Sequence, residues 1–394
     1  MHATPVSVKL PRGRTKLEIY LDNLASTPID PRVLDHQCMV SASLPANPNG
    51  AVHASGVQAA NVLTKARVGV GDFLGVEEHD IHFMPSASSA LWLAVEDAIA
   101  RKGDGVRVLA SAIEHPSLLR HLERAQSMGR IRLELFPVTT IGQPDLNALA
   151  EMVASAPAGL VCSMAANNEI GTIAPTTEIL EIANQHGALT LVDASQAAGR
   201  FRINHIVETA DYVILSGAKI NGPRRVGVLA GALTNSAASL IEPMFGTPDA
   251  AAASAMAMAC SLVAAEMETD GLRIATLRDR LEALLVQQVP GLVVNGDTSA
   301  RLAGALHVSA PSVPAEVLVS RLWGKVAIST GAACQSGVPG PSHVLSAMSL
   351  EDWVLEGGVR MCVGKFNDAA EIEVAGSLLA DAMRGHMNLD RKQA

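Results

Sequence analysis

The chain has 394 residues, of which 48% are hydrophobic and 18% charged, and its formal net charge is −9. A chain of this length is too long for one small domain, and it predicts a protein of two or three lobes with a large apolar core. The acidic balance argues against nucleic-acid binding as the main activity, because phosphate contacts need a basic face.

The cysteines and the apolar segments bear on the compartment. The cysteines are odd in number, widely spaced and without a Cys-x-x-Cys pair; they are Cys38, Cys162, Cys260, Cys334 and Cys362. This pattern argues against a disulfide framework or a zinc site and favours reduced thiols in a cytosol. Residues 1–12 contain no apolar segment typical of a secretory signal. The uncharged stretch 250–265 is shorter than the about 20 apolar residues that span a bilayer. We therefore expect a cytoplasmic protein with no metal and no membrane span.

Strand-like and helix-like segments alternate through the first 230 residues. In chain order, the strand-like segments are 80–84, 106–111, 132–137, 160–164, 189–193, 212–215 and 226–230. Helix-like segments lie between them at 89–100, 114–128 and 175–186. This alternation predicts βαβ units and an α/β fold with a mostly parallel, seven-stranded sheet flanked by helices. Polar residues that follow the strands would meet at the carboxyl edge of the sheet, where ligands bind.

A long Ala-rich helix around 250–285 is predicted to connect this sheet to a second lobe. Short strands at 291–295, 304–309 and 325–329 and helices at 317–322 and 370–384 predict a smaller α+β C-terminal domain. We predict a large domain over residues 28–262 and a small domain over residues 263–394. Residues 1–27 are predicted to pack with the small domain.

Two predicted strand ends offer an amine and a carboxylate. Lys219 follows the segment 212–215 through a run of small residues, and Asp193 ends the segment 189–193. Pyridoxal phosphate (PLP) needs that pair, a lysine for a Schiff base and an acid for the pyridinium nitrogen. A lysine after a strand is commonly a surface residue, but Gln196 and Ser216 beside this pair favour attachment of the cofactor.

Six motifs occur in an order that resembles a known family. They are YLDNLASTPIDPR at 20–32, EH at 114–115, NNEIG at 167–171, DASQ at 193–196, SGAK at 216–219 and STGAAC at 329–334. Together they resemble the class V (fold type I) PLP enzymes and, within them, the cysteine desulfurases of the NifS/IscS-like group. The match covers about residues 18–385. It implies the fold type I architecture, PLP as cofactor and a cysteine desulfurase activity.

The resemblance also implies roles for the residues around the cofactor. Lys219 would form the Schiff base, and Asp193 would pair with the pyridine nitrogen and keep it protonated. Gln196 would hydrogen-bond the phenolic oxygen of the cofactor. His115 would stack on the ring and take part in proton transfer, and Asn168 would lie near the cofactor oxygen and the substrate.

The remaining roles concern the phosphate, the substrate and the sulfur. Ser88 and Ser216 would donate to the phosphate. Arg360 would bind the carboxylate of L-cysteine, since a guanidinium pairs with a carboxylate through two hydrogen bonds. Cys334 would be the nucleophile that attacks the substrate sulfur, leaving alanine and a persulfide for transfer to an acceptor. A cysteine in a Gly/Ala segment can instead be a small buried apolar residue.

Three departures from the family pattern surround these residues. Ala218 replaces the usual histidine before the lysine, and the phosphate loop at 84–92 lacks the usual glycine and acid. A Gly-rich hairpin is shortened at 242–247, although Thr247 is kept. In the family that threonine reaches the phosphate in the partner subunit, which implies a homodimer with shared active sites. The shortened hairpin implies a more open site, or one that another protein completes.

These departures favour a specialised desulfurase that supplies sulfur to one pathway through a protein acceptor. Two other interpretations stay open. The chain could be another class V lyase or aminotransferase, in which Cys334 is incidental. It could also be a catalytically degenerate dimeric scaffold, which Ala218 and the shortened hairpin motivate.

Overall fold

The computed structural model describes residues 8–9, 15–16, 18–50, 52–330 and 342–390, which form two lobes joined by one long helix. The strands are β1 Val8–Lys9, β2 Thr15–Lys16, β3 Ile19–Tyr20, β4 Ile81–Met84, β5 Val106–Ser111, β6 Ile131–Phe136, β7 Leu160–Met164, β8 Leu189–Asp193, β9 Tyr212–Ser216, β10 Gly227–Ala230, β11 Val293–Val294, β12 Ala305–Ser309, β13 Val326–Ala327, β14 Ser329–Thr330 and β15 Val359–Cys362. The α-helices are α1 Pro31–Ser43, α2 Ala54–Leu74, α3 Ala87–Lys102, α4 Pro116–Ser127, α5 Leu146–Ser155, α6 Thr176–Gln185, α7 Asn204–Val207, α8 Asn235–Ala238, α9 Ile241–Phe245, α10 Ala250–Gln288, α11 Ala315–Leu322, α12 His343–Ala347, α13 Asp352–Gly357 and α14 Ala369–Asp390.

The large lobe is built on a seven-stranded sheet with the strand order β4-β10-β9-β8-β7-β5-β6. Strands β5 to β9 pair in parallel, and β10 runs antiparallel to both β9 and β4. The predicted fold, α/β with a mostly parallel seven-stranded sheet, is confirmed. From β5 the chain moves outward to β6, whereas from β7 it moves the other way to β8 and β9. A crevice therefore opens between the carboxyl ends of β5 and β7, where such sheets bind ligands.

Both faces of this sheet are covered by helices, so its central strands are apolar throughout. Leu191 and Val192 are neighbours on β8, and their side chains lie in separate cores on opposite faces. The core around Leu191 is completed by α3 and α4, and the core around Val192 by α2 and the first half of α10. This two-sided burial explains why the strands read as continuous apolar runs rather than as alternating patterns.

The small lobe carries a four-stranded sheet with the order β11-β12-β15-β14. Its core takes in the second half of α10, from Leu277 to Leu285, together with α11 and α14. Ile19 and Leu21 lie in the same core, because β3 pairs in parallel with β13. The single strand predicted at 325–329 is two strands: β13 joins β3, and β14 pairs with β15. The predicted domain bounds stay predictions, and α10 runs unbroken through 262/263.

Helix α10 is the one described helix that is long and apolar enough to cross a bilayer by length and composition alone. Half of its most apolar window is buried inside the protein. Its first half is Ala-rich, and residues from Ala252 to Val263 pack into the core beside α2 and α1. Small side chains allow this close helix packing, so the apolar character of α10 has a use within the fold.

Candidate cofactor site

A cavity of about 230 Å³ lies at the carboxyl edge of the central sheet. It is lined by residues from the ends of β5, β7, β8 and β9, from the start of α3, and from β15 of the small lobe. Eight of the ten residues predicted for the site line this cavity: Ser88, His115, Asn168, Asp193, Gln196, Ser216, Lys219 and Arg360. The chain thus brings together residues that are up to 272 positions apart, as the strand-end argument predicts for one sheet edge.

Lys219 ends a single 3₁₀ turn that follows β9. A β-carbon at Gly217 would lie 2.5 Å from a backbone oxygen, so this turn requires a glycine there. The Nζ of Lys219 donates to the backbone oxygens of residues 24 and 25, at 2.7 Å for Leu24. The carbonyl of Ala218 accepts from Thr27, through its N–H at 2.8 Å and its hydroxyl at 3.0 Å. The segment 24–27 therefore holds the lysine turn from one side.

Asp193 and Gln196 are fixed in orientation before any cofactor binds. The Oδ1 of Asp193 accepts from the N–H of Ser195 at 2.9 Å. The Nε2 of Gln196 donates to the carbonyl of Leu24 at 2.8 Å, and its Oε1 accepts from Arg200 at 2.6 Å. Arg200 was not predicted from the sequence. Its position four residues after Gln196, following the small residues 197–199, is the signal that could have found it.

His115 lies at the cavity wall and caps α4. Its Nδ1 accepts from the backbone N–H of Ser117 at 3.1 Å, which assigns the ring proton of the neutral imidazole to Nε2. Burial lowers the pKa of His115, and the charge of Asp193 opposes that shift only in part. The imidazole is therefore neutral near pH 7, with Nε2 holding its proton.

The start of α3 forms a cup for an anion. Ser86 caps this helix by accepting from the N–H of its third residue at 3.1 Å, and both Ser86 and Ser88 line the cavity beside Ser216. The N–H groups and the dipole at a helix N-terminus favour a phosphate. A β-carbon at Gly227 would lie 2.3 Å from the carbonyl carbon of Ser86, so only a glycine lets β10 approach this closely. Ser86 was not predicted from the sequence, although a serine between a strand and a helix is a common N-cap.

Arg360 lies in the middle of β15 and is 1% exposed. Its Nη2 and Nε donate to one carboxylate oxygen of Asp22, at 2.8 and 3.2 Å. Its Nη1 donates to the backbone carbonyl of Asn168 at 3.0 Å. These contacts fix the plane of the guanidinium at the cavity wall. Asp22 belongs to the first of the six motifs, yet its pairing with Arg360 across 338 residues has no signature in the local sequence.

Two buried glutamates lie in the segments that follow β5 and β7. Glu114 and Glu169 are 0% and 2% exposed, and neither was predicted as part of the site. Burial raises the pKa of Glu114 to about 8 and that of Glu169 to about 7. Ser342, at the start of α12, makes a short hydrogen bond with Glu169. Glu114 precedes His115 in the EH motif, and Glu169 follows Asn168 in the NNEIG motif. These positions are the only local sequence features that indicate a place near the site.

Of the other two predicted residues, Thr247 does not line the cavity. Thr247 follows α9, and its hydroxyl accepts from the side chain of Asn49 at 3.3 Å. Cys334 lies outside the described residues. On either side of its segment, Ser329 is the register partner of Arg360, and Ser342 contacts Glu169.

The sequence and the fold were compared with known proteins. The chain matches the family described as aminotransferase class-V over residues 19–374. The chain belongs to this family. It is 32% identical to a probable mitochondrial cysteine desulfurase from Dictyostelium discoideum, over 91% of this chain and 81% of that protein. It is also 32% identical to a cysteine desulfurase IscS from Shewanella oneidensis, over 91% of each chain.

Solved structures agree with this assignment. The fold matches a NifS-like protein with a TM-score of 0.83 and 25% identity, over 93% of this chain and 99% of that one. It matches a NifS-like protein from Rickettsia africae with a TM-score of 0.80 and 26% identity, again over 93% and 99%. The resemblance to the NifS/IscS-like cysteine desulfurases is confirmed. The chain is a PLP-dependent enzyme of the cysteine desulfurase type.

The residues that line the cavity fit PLP. An amine, a carboxylate and a helix N-terminus with hydroxyls face one space, which suits the aldehyde, the ring nitrogen and the phosphate of that cofactor. The Oδ1 of Asn168 and the Oγ of Ser195 are buried at the cavity wall and have no hydrogen-bond partner among the described residues. Buried polar atoms are rarely left unpaired in proteins, so these two are matched to a polar ligand.

Proposed function

We propose that the enzyme converts L-cysteine to L-alanine and takes up the sulfur as a persulfide on Cys334. The observation that carries this proposal is that Lys219, Asp193 and Arg360 line a single cavity. PLP supplies the electron sink that makes the Cβ–S bond of the substrate labile. In the transfer, the Cβ–S bond breaks, an S–S bond to Cys334 forms, and the electron pair left on the three-carbon skeleton is protonated to give alanine. No external oxidant is required.

Arg360 binds the carboxylate of the substrate in this proposal. Asp22 and the carbonyl of Asn168 hold the guanidinium in one plane. Substrate binding therefore does not have to order this side chain, and its cost in conformational entropy is smaller. Asp193 would hold the ring nitrogen of the cofactor with its carboxylate, one oxygen of which accepts from the N–H of Ser195. The proton for the product carbon can come from Lys219 or from Nε2 of His115, which both line the cavity.

The assignment of the nucleophile to Cys334 has indirect support from the other cysteines. Cys162, Cys260 and Cys362 are buried, and burial raises the pKa of each thiol. A thiol held in its neutral form is a poor nucleophile. Cys38 is exposed but belongs to α1 and does not line the cavity. Cys334 remains as the candidate, on a segment whose neighbours Ser329 and Ser342 contact the site.

A homodimer and a protein acceptor complete the proposal. Thr247 lies apart from the cavity of its own chain, as expected of a residue that serves the partner's site. Near it, Leu240 and Met244 are exposed, and apolar side chains of this kind favour contact with another protein surface. A specialised pathway, a dedicated sulfur acceptor and a cytoplasmic location are also proposed. For the location, the relatives of this chain include both bacterial and mitochondrial proteins.

The test is a turnover assay of the purified, PLP-loaded protein with L-cysteine. We expect equal amounts of alanine and of persulfide plus released sulfide, and a mass increase of one sulfur on the peptide that contains Cys334. Cys334→Ala is expected to abolish turnover and to keep the absorbance of bound PLP, whereas Lys219→Ala is expected to lose that absorbance. Cys38→Ala, an exposed cysteine outside the site, is the matched control. Alanine production that survives in Cys334→Ala would contradict the assignment of the nucleophile, and no turnover in the wild type would contradict the function.

A further inference from the structure

The crevice between β5 and β7 is closed by a side chain rather than by a strand. The two strands pair only from Val108 to Ala110 and from Leu160 to Cys162, so their carboxyl ends separate. Glu114, three residues after β5, places its Oε1 in that gap and accepts the N–H of Met164 at 2.7 Å. The carboxyl group thus satisfies a buried backbone donor at the point where the neighbouring strand has left the sheet.

The same carboxyl group lies next to Asp193. Met164 is the register partner of Asp193 on β8, so Glu114 and Asp193 flank one residue of β7. The charge of Asp193 acts on Glu114, and it adds to the effect of burial in raising the pKa of Glu114. Two carboxylates whose charges interact in a buried site are not both ionised readily. Asp193 lines the cavity, whereas Glu114 does not.

Among the described residues, none of the polar groups around Glu114 forms an ion pair with its carboxyl group. The second oxygen, Oε2, is buried and has no hydrogen-bond partner among the described residues. Cys162 of β7 is close enough for the charge of Glu114 to raise the pKa of its thiol. From α12, Nε2 of His343 donates to the backbone carbonyl of Glu114 at 2.9 Å, not to its side chain. The adjacent His115 has a lowered pKa and is neutral. An ionised Glu114 would therefore be an unpaired buried charge.

We propose that Glu114 works as a neutral carboxylic acid, a positioning residue that closes the crevice and leaves Asp193 as the carboxylate that serves the cofactor. In the neutral form, one oxygen still accepts from Met164, and the site carries one negative charge instead of two. Ionisation of Glu114 would repel Asp193 and disturb the strand ends that hold it. The role deepens the proposed function, because a misplaced Asp193 weakens the hold on PLP.

Infrared difference spectra of the apo-protein test the protonation state directly. At pH 7 the wild type is expected to show the carbonyl stretch of a buried neutral carboxyl group that is absent from Glu114→Gln. Glu169→Gln is the matched control, since Glu169 is equally buried but is bonded to Ser342 and has its own, lower pKa of about 7. If the band at pH 7 is unchanged in Glu114→Gln, Glu114 is ionised and the proposal is wrong.

The binding of PLP as a function of pH tests the positioning role. Between pH 7 and pH 9 the wild type is expected to lose about tenfold in PLP affinity beyond the loss shown by Glu114→Gln, because one pH unit above a pKa ionises about ten groups in eleven. Glu114→Ala is expected to bind PLP about tenfold more weakly than Glu114→Gln at pH 7, since the N–H of Met164 loses its acceptor. Identical pH dependence in the wild type and Glu114→Gln, or equal affinities of the two variants, would overturn the proposal.

These measurements do not use cysteine, so they stay informative if the proposed desulfurase activity fails. Circular dichroism of Glu114→Gln checks that the variant is folded. If Glu114→Ala does not fold, the comparison of wild type with Glu114→Gln still decides the outcome.

Discussion

The contacts of Arg200 predict that removing its guanidinium lowers both the stability of the protein and its affinity for PLP. Its guanidinium donates to both the carbonyl and Oε1 of Gln196, at 2.7 and 2.6 Å, and to the carbonyl of Asn23 at 3.1 Å. Gln196 and Asn23 are buried, so no water replaces these donors. The perturbation is Arg200→Met, which keeps most of the aliphatic stem and removes the donors.

The expected loss has two parts. Each buried acceptor left without a donor costs about 1–3 kcal/mol, so the carbonyl and Oε1 of Gln196 and the carbonyl of Asn23 together predict about 3–9 kcal/mol in unfolding free energy. The side-chain amide of Gln196 is also freed to rotate, and a wrongly oriented amide would present an oxygen where its proposed hydrogen bond to the cofactor oxygen requires a donor. The loss of one such hydrogen bond is about 1.4 kcal/mol, which predicts about a tenfold weaker affinity for PLP.

Urea unfolding of the apo-protein and fluorescence titration with PLP measure these two effects. The control is Arg202→Met, the same change two residues away, where the arginine is 72% exposed and pairs with the exposed Glu268. An exposed ion pair contributes about 0–1 kcal/mol, so this control is expected to resemble the wild type. If Arg200→Met matches Arg202→Met in both assays, the contacts of Arg200 do not orient Gln196 and the argument is refuted.

Three further predictions concern acid stability, a glycine and the substrate. Burial raises the pKa of Asp30, but hydrogen bonds from Arg32 outweigh that effect and lower the pKa to about 2. Hydrogen bonds from Arg32 and Lys365 likewise lower the pKa of Glu266 to about 2. Their pairing therefore stabilises the fold above about pH 4.5 and is lost toward pH 2, so acid unfolding should begin at higher pH in Glu266→Gln. Gly171→Ala should strongly lower the temperature of thermal unfolding, because φ is +75° and the new β-carbon would lie 2.1 Å from another side chain. Gly187→Ala is the control: φ is +70° there, but no atom lies within 4 Å of the new β-carbon, so only backbone strain is expected. Arg360→Lys should raise the KM for L-cysteine by about 10- to 100-fold with a smaller change in kcat, because the ammonium of lysine is a point charge and cannot form the bidentate hydrogen bonds of a guanidinium. An unchanged KM would contradict the proposed role of Arg360 in binding the substrate carboxylate.

Much of the large lobe was predictable because its signals are local. The strands at 106–111, 160–164 and 189–193 were predicted with the bounds that the structure has, since each is a short apolar run between polar turns. Strand-end position then predicted that Lys219 and Asp193 would meet, because parallel strands present their carboxyl ends at one edge. The small lobe was less predictable. The chain leaves one sheet for another between β13 and β14, and no local pattern marks that change of partner.

The sequence by itself determined the sheet, the family and the lysine, carboxylate and serines that line the cavity. These follow from periodicity and from short motifs, which are properties of neighbouring residues. Only the tertiary structure decided what orients them: Asp22 beside Arg360, Arg200 on Gln196, and Glu114 in the crevice next to Asp193. The partners of Asp22 and Glu114 are 338 and 50 residues away. Whether an ionisable side chain finds a partner or stays neutral depends on the burial and the charges that distant segments bring to it, and folding sets both.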